Sequence, residues 1–180
     1  MSEFFELIKT RQSCRNFDSE RAVENEKLIK VIRAALLSPS AVNSQPWHFT
    51  VVNSKEKSKE VAKAVQKAGS NEFTSSCPAF IIINEEETNI FSKEGKKVIG
   101  QEFASNDIGI AVAHIILAAQ SVALSTCIMG RFDEQEIKKI CDIHKGKRIR
   151  LIIAIGYAKN DEFRIKSRKP ETETVTYIID

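Results

Sequence analysis

The chain has 180 residues, of which 42% are apolar, and its 27 lysines and arginines exceed its 24 acidic residues by three. This length and apolar fraction suit a single domain over 1–180, and the small, dispersed charge argues against a nucleic-acid or membrane surface. The four cysteines are widely spaced without a Cys-x-x-Cys pair, and the N-terminus does not resemble a signal peptide, so we expect a reduced, cytoplasmic compartment.

The first third of the chain predicts three helices and a strand. Apolar residues at spacings of three and four predict a short amphipathic helix over 3–10. A second helix is predicted over 25–37, where a Ser-Pro pair stops it. A strand over 48–53 follows, and then a Lys/Glu-rich helix over 54–68 that begins at a serine cap.

The middle of the chain predicts a buried strand and a long apolar helix. The continuous apolar run 79–83 is typical of a central strand covered on both faces. The charged, poorly periodic stretch 84–103 is interpreted as a loop with at most a weak helix. The helix that runs from about 105 to 122 is apolar all round, which predicts burial on every side in a core or an interface. Its apolar part is too short to span a bilayer.

The last third predicts a strand over 125–129, a helix over 133–142 and a β-rich strand over 148–157. The tail over 172–179 alternates like one more strand. About four or five strands and five helices without strict βαβ alternation indicate an α+β domain.

Two short basic segments near opposite ends of the chain are candidates for anion recognition. In an extended segment alternate side chains share a face. The residues that share a face in the first segment are Arg11, Ser13 and Arg15, and the second segment repeats the spacing with Lys166 and Arg168. Arginine forks and a hydroxyl group suit a phosphate. The alternative is two solvated surface faces, since spacing alone does not bring the ends together.

The loop 38–47 combines a helix stop with polar side chains. Prolines at both ends fix the backbone between them, which shapes a loop that can face a ligand. The polar residues on this loop are Ser40, Asn43 and Gln45. The alternative is a plain helix end that turns into the next strand, and Trp47 is expected to pack in the core.

Other kinds of site receive little support. No Gly-x-Gly-x-x-Gly, P-loop or Gly-x-Ser-x-Gly motif is present, and the three histidines lie far apart, so we predict no metal site. Cys14 lies between two arginines that could lower its pKa and make it a nucleophile. The alternation of side chains instead favours a thiol that points away and packs.

Three motifs in this order resemble the FMN-dependent nitroreductase family: Arg-Gln-Ser-Cys-Arg-Asn-Phe from residue 11, Ser-Pro-Ser-Ala-Val-Asn-Ser-Gln-Pro-Trp from residue 38, and Lys-Ser-Arg from residue 166. The resemblance implies an α+β nitroreductase-like fold with a central mixed, mostly antiparallel sheet flanked by helices. It also implies a homodimer with FMN at the subunit interface and a C-terminal extension exchanged between partners. Many relatives have a longer helical insertion than the stretch 85–103.

The resemblance also implies roles for individual residues. The FMN phosphate would be held by Arg11, Ser13, Arg15, Lys166 and Arg168. The ribityl chain or pyrimidine edge would meet the surroundings of Gln12 and Asn71. The partner subunit would supply Pro39, Ser40, Ala41 and Asn43, with Gln45 beside them, to the isoalloxazine ring. A backbone N–H of Met129 or Gly130 would donate to flavin N5.

By this resemblance the protein is an NAD(P)H oxidoreductase that passes hydride through FMN to a nitroaromatic, a quinone or a similar acceptor in a ping-pong reaction. The cofactor supplies the chemistry, so no side chain is named as catalytic. The alternatives are an FMN-dependent dehydrogenase, a flavin reductase or a reductive dehalogenase on the same scaffold, and a flavin-binding sensor without turnover.

Overall fold

The computed structural model describes residues 3–67, 69–87, 103–160 and 162–180. Four strands form one sheet in the order β1-β2-β4-β3, and each neighbouring pair is antiparallel. The strands are β1 Trp47–Val52, β2 Ala79–Glu85, β3 Ser125–Met129 and β4 Arg148–Gly156. A short parallel bridge joins Ser13 to Thr126 on β3, so the sheet is mostly antiparallel. The predicted α+β class is confirmed.

Helices cover both faces of this sheet. They are α1 Glu3–Thr10, α2 Asn25–Leu36, α3 Lys55–Gln66, α4 Phe103–Ser121, α5 Glu134–Ile140 and α6 Glu171–Thr174, with 3₁₀ turns at Ala41–Asn43 and Glu72–Ser76. The predicted serine cap of α3 is confirmed, because the Ser54 hydroxyl accepts from the Lys57 N–H. Asp133 caps α5 in the same way by accepting from the Glu136 N–H at 3.1 Å.

The core lies in two layers because side chains of the central strands alternate between the two faces. On one face Ile81, Ile83, Ile153 and Ile155 pack against α2 and α4. On the other face Phe80, Ile82, Ile152 and Ala154 pack against α3 and α5. The apolar run that predicted a central strand is therefore β2, which pairs on both edges. Trp47 is buried in the first layer, as expected.

The prediction of a strand over 172–179 is wrong. The tail instead contains the short helix α6 and then an extended stretch that pairs with none of the four strands. Its β-favouring side chains have no sheet face to cover in this chain, and Ile178 is 95% exposed. Alternation predicts a strand only where a neighbouring strand offers an open edge.

The expectation that α4 is buried on every side is wrong for the single chain. Buried residues such as Ile108 and Ile115 follow one stripe, whereas Ile110 on another side is 39% exposed. The 19-residue helix is long and apolar enough to cross a membrane, yet it carries a buried Asp107 and packs in the layer beside α2.

The stretch predicted as a loop over 84–103 is shorter at both ends in the structure. Residues 84 and 85 still belong to β2, and Phe103 is the first residue of α4. Residues 88–102, and with them the size of any lid, lie outside the described residues.

Candidate functional site

The two basic segments from opposite ends of the chain lie side by side. The Gln12 side chain joins them, since its amide nitrogen donates to the Glu162 carbonyl oxygen at 2.6 Å and its amide oxygen accepts from the Arg164 N–H at 3.0 Å. The Arg164 guanidinium also donates to the Ser13 carbonyl oxygen. Spacing alone did not predict this meeting, which requires the chain to return to its start after β4.

A groove of about 250 Å³ opens between these segments. The five cationic side chains that line it are Arg11, Arg15, Arg164, Lys166 and Arg168. Ser13 lines the same groove, so the described residues place guanidinium forks and a hydroxyl group around one opening. A group with several acceptor oxygens and negative charge suits such a lining.

Lys166 shows how closely the cations are gathered. Burial of its ammonium group, followed by the charges of Arg11 and Arg168, holds the pKa of Lys166 below its ordinary value. The same ammonium donates to the carbonyl oxygens of Ile8 and Lys9, both at 2.6 Å. These carbonyls end α1, where the helix dipole favours a positive charge. Lys166 therefore ties the groove to the first helix.

Arg164 is a groove residue that sequence reasoning missed. It lines the groove and donates to Ser13, but it was not among the predicted residues. A signal was available, because Arg164 extends the alternation of Lys166 and Arg168 by one more step of two residues.

Gln12 is one of the predicted site residues, but alternation of side chains did not predict its hydrogen bonds to the C-terminal segment. Both ends of its amide are engaged by the backbone of the C-terminal segment. The Gln12 side chain thus holds the N-terminal and C-terminal basic segments together.

The loop that contains Pro39, Ser40, Ala41 and Asn43 has an unusual backbone. Val42, Asn43 and Gln45 all have positive φ, at 48°, 55° and 46°. A β-branched residue such as Val42 is strained in this left-handed region. Strain of this kind persists where the surroundings fix the backbone, and it is concentrated at functional sites.

Asp107 of α4 fixes this loop, and sequence reasoning did not find its role. The residue is 5% exposed, and its carboxylate accepts from the Ala41 N–H at 3.1 Å. Within the loop, the Ser40 hydroxyl accepts from the Gln45 N–H at 2.9 Å. Among the described residues, none from this loop lines the basic groove of its own chain.

The remaining predicted residues lie near the C-terminal end of β3. Met129 is buried and ends the strand, and Gly130 follows it. Asn71, in a left-handed conformation, donates from its side-chain amide to the Arg131 carbonyl oxygen at 3.0 Å. The structure therefore brings Asn71 beside the backbone that follows Gly130, a contact that connects two distant parts of the chain.

The distance from the start of β3 to the residue that follows it gives the length of the candidate site. Ser13 is bridged to Thr126 near the start of β3, and Gly130 lies four residues further on. At about 3.3 Å per residue, the basic groove and the Gly130 backbone are separated by roughly 13 Å along the strand. An elongated ligand with an anionic end is compatible with this spacing.

Cys14 is a buried thiol. Burial raises the pKa of Cys14 above its ordinary value, although a hydrogen bond to Asn16 and the charge of Arg164 oppose the shift. The predicted packing of this thiol is confirmed by its 8% exposure. Within the described ranges, no group of three or more His, Cys, Asp and Glu residues could hold a metal ion.

Comparison with known proteins gives a consistent result. A family model described as the nitroreductase family matches residues 8–157. The chain is 26% identical to the oxygen-insensitive NADPH nitroreductase of Helicobacter pylori over 96% of its own length and 95% of that protein.

Two solved structures have a similar fold. A nitroreductase family protein from Clostridium novyi is 30% identical, with a TM-score of 0.75 and coverage of 91% of this chain and 89% of the other. An FMN-dependent nitroreductase from Clostridium difficile is 26% identical, with a TM-score of 0.76 and coverage of 96% and 98%. The similarity thus extends over nearly the whole chain.

Proposed function

Because the chain belongs to the nitroreductase family, we propose that it is an FMN-dependent NAD(P)H oxidoreductase whose basic groove holds the flavin phosphate. The observation that carries the proposal is the meeting of two basic segments, from opposite ends of the chain, around one opening. The names of the similar proteins support both the cofactor and a nicotinamide donor.

The groove residues fit a phosphate dianion. Arg11 and Arg168 lie close enough to lower the pKa of Lys166, so positive charge is gathered there without a carboxylate partner in the groove lining. A phosphate would neutralise this charge, and its oxygens would accept from guanidinium forks and from the Ser13 hydroxyl. Arg15 and Arg164 complete the set of donors.

FMN held in this groove would supply hydride transfer between NAD(P)H and an acceptor such as a nitroaromatic or a quinone. The protein's role would be to bind and orient the flavin and to stabilise its reduced ring. The Gly130 or Met129 N–H would donate towards N5 and favour the negative charge of the reduced ring. Asn71 would hold this backbone in place through its bond to the Arg131 carbonyl oxygen.

We also propose that the active form is a homodimer with a site shared between subunits. The strained loop at 39–43 does not line the groove of its own chain, so it is available to the partner's site. Exposed apolar side chains support an interface, among them Phe4 at 54%, Phe5 at 60% and Leu37 at 82%. The exposed end of the tail, residues 175–180 with Ile178 at 95%, would be exchanged with the partner.

The compartment is proposed to be cytoplasmic, because all four cysteines are free thiols.

A spectroscopic experiment tests the function. The purified protein should be yellow, should bleach anaerobically with NADH or NADPH, and should regain its colour with menadione or nitrofurazone. A protein that binds FMN but never bleaches with either nucleotide would instead be a flavin sensor. A protein that binds no flavin would overturn the proposal. Light scattering that reports a flavin-loaded monomer would contradict the shared site.

A further inference from the structure

Two cysteines from distant parts of the chain are neighbours across the edge of the sheet. The parallel bridge joins Ser13 to Thr126, and the Cys14 N–H donates to the Thr126 carbonyl oxygen at 2.9 Å. The same register, continued by one residue along both segments, places Cys14 opposite Cys127. Neighbouring strands are about 4.8 Å apart. A disulfide needs Cα atoms about 4.4 to 6.8 Å apart and Cβ atoms about 3.5 to 4.5 Å apart, so the strand spacing meets the first requirement and closure brings the Cβ atoms slightly nearer.

The two side chains also point to the same face of the sheet. Both belong to the apolar layer between the sheet and helices α3 and α5, where Cys14 is 8% and Cys127 is 3% exposed. Among the groups that act on the pKa of Cys127, the Cys14 thiol raises it, after burial and the charge of Arg15. The backbone register and the shared apolar layer therefore place the two side chains next to each other.

A cavity gives small molecules a path to Cys14, the first thiol of this pair. It has a volume of about 200 Å³ and is lined by Cys14, Arg15, Asn160 and Arg164, among other residues. Arg164 opposes the effect of burial on the pKa of both thiols, and Arg15 does so for Cys127. Burial still dominates, so both groups are mainly protonated thiols at neutral pH.

We propose that Cys14 and Cys127 are a redox pair that closes into a reversible disulfide when hydrogen peroxide enters this cavity. The Cys14 thiolate attacks one peroxide oxygen, which forms an S–O bond, breaks the O–O bond and releases hydroxide that takes up the Cys14 proton as water. The Cys127 thiolate then attacks the Cys14 sulfur, and the S–O bond breaks. The hydroxide that leaves takes up the Cys127 proton as a second water, so two thiols lose two electrons and peroxide gains them.

The disulfide would fix the basic segment 11–15 covalently to β3. At present this connection consists of a short parallel bridge and its hydrogen bond. Resting on the proposed function, the consequence is slower flavin release from the oxidised protein, because Arg11 and Arg15 no longer move away from the strand.

Cys77 is the competing partner for either thiol. Its sulfur donates to the carbonyl oxygens of Ala79 at 3.1 Å and Ile155 at 3.6 Å. Burial raises the pKa of Cys77 to about 12, so very little Cys77 thiolate is present at neutral pH, and of the three thiols Cys14 alone lines the cavity. Cys141, on the far side of the same layer after α5, is the natural control.

The test is peptide mapping of the full-length protein after treatment with hydrogen peroxide and trapping of free thiols at acid pH. Trypsin separates the two cysteines into peptides 12–15 and 98–131. We expect these two peptides joined, with the loss of two hydrogens, and separated again by dithiothreitol. The joined pair should persist in Cys77→Ala and Cys141→Ser and should be lost in Cys14→Ser and in Cys127→Ala.

Two results would overturn the redox pair: a joined peptide that contains Cys77, or independent oxidation of Cys14 and Cys127 to sulfinic acids without cross-linking. The rate of cross-linking should rise with pH, because the reactive thiolate fraction grows towards the raised pKa values. Flavin absorbance is recorded on the same samples. A yellow, NADPH-bleached protein without the cross-link overturns only this inference, whereas a cross-linked protein that binds no flavin overturns only the proposed function.

Discussion

The centre of the sheet and the basic groove are built in opposite ways. In β2 and β4, Ile81, Ile82, Ile152 and Ile153 are completely buried and lie in continuous antiparallel register. The groove consists of exposed and half-buried cations on irregular segments that are joined mainly by single side-chain to backbone hydrogen bonds, such as those of Gln12. Stability and ligand binding are therefore expected to respond to different substitutions.

The contrast follows from what each region requires. Apolar burial stabilises a fold wherever it occurs, so the sheet centre gains from being continuous. Gathered positive charge opposes its own ionisation, since the charges of Arg11 and Arg168 add to the larger effect of burial in lowering the pKa of Lys166. Such a cluster is useful when an anion occupies it.

The largest effect is expected in the sheet centre. Ile82→Ala removes buried methyl and methylene groups and should lower the free energy of unfolding by about 2–5 kcal/mol, or the Tm by roughly 4–20 °C. Thermal unfolding followed by circular dichroism measures this change, while the FMN affinity of the folded variant should not change. Val51→Ala, at a 39% exposed position on β1, is the matched control and should have a much smaller effect.

The groove should show the reverse behaviour. Arg11→Gln and Arg168→Gln each remove a charge-assisted contact of about 1.5–3 kcal/mol, which weakens FMN binding by roughly ten- to a hundredfold. Fluorescence quenching of FMN measures the affinity. Arg33→Gln on the exposed side of α2 should leave it unchanged. If both groove variants bind FMN as tightly as the parent, these arginines do not hold the phosphate.

The close packing around Gly156 at the end of β4 offers a third way to distinguish the tightly packed sheet from the groove. A Cβ atom at Gly156 would lie 2.7 Å from the Pro78 ring and 3.2 Å from Phe17. Gly156→Ala should therefore destabilise the protein by roughly 1–3 kcal/mol through overpacking. Gly130→Ala is the comparison, since its nearest atom is 3.9 Å away on Leu151. Equal stability of Gly156→Ala and the parent would show that Pro78 moves aside.

The strained loop should give a smaller change of opposite sign. Asparagine tolerates the left-handed region better than valine, so Val42→Asn should raise the free energy of unfolding by about 1 kcal/mol. Val42 is 63% exposed, so little burial is lost. Chemical denaturation measures the gain, and a destabilised variant would indicate that the valine side chain packs against something in the dimer.

The weakest effect is a pH dependence of FMN binding. Since the pKa of Lys166 is lowered in the free protein and an anion would raise it, binding is linked to proton uptake. The FMN affinity should be highest below the pKa that Lys166 has in the free protein. It should fall as the pH rises towards the higher pKa that Lys166 has in the complex. Lys166→Gln should remove this alkaline decline, and an unchanged decline in that variant would place it on another group.

The regular elements could be predicted because their signals are local. Periodicity and caps gave α1, α3 and β3 with bounds that differ from the structure by two residues or fewer. The exposed side of α4 and the tail at 175–180 could not be predicted in this way, since both depend on what covers them. An apolar pattern indicates that one face of an element is buried, but it does not show which other element, or which other chain, packs against that face.

The candidate site was predictable in its composition but not in its geometry. Alternation selected Arg11 and Lys166 and also pointed to Arg164, which was overlooked. The Gln12 bridge and the Asp107 contact to Ala41 join residues that are far apart in the chain. No local pattern in a single sequence encodes such contacts, so they became visible only in the folded structure.

The most direct test compares the affinities of the flavin-free protein for FMN and for riboflavin, which lacks the phosphate. If the basic groove holds the phosphate, FMN should bind at least about tenfold more tightly than riboflavin, and Arg168→Gln should reduce the difference. Equal affinities for the two flavins in the parent protein would contradict the account.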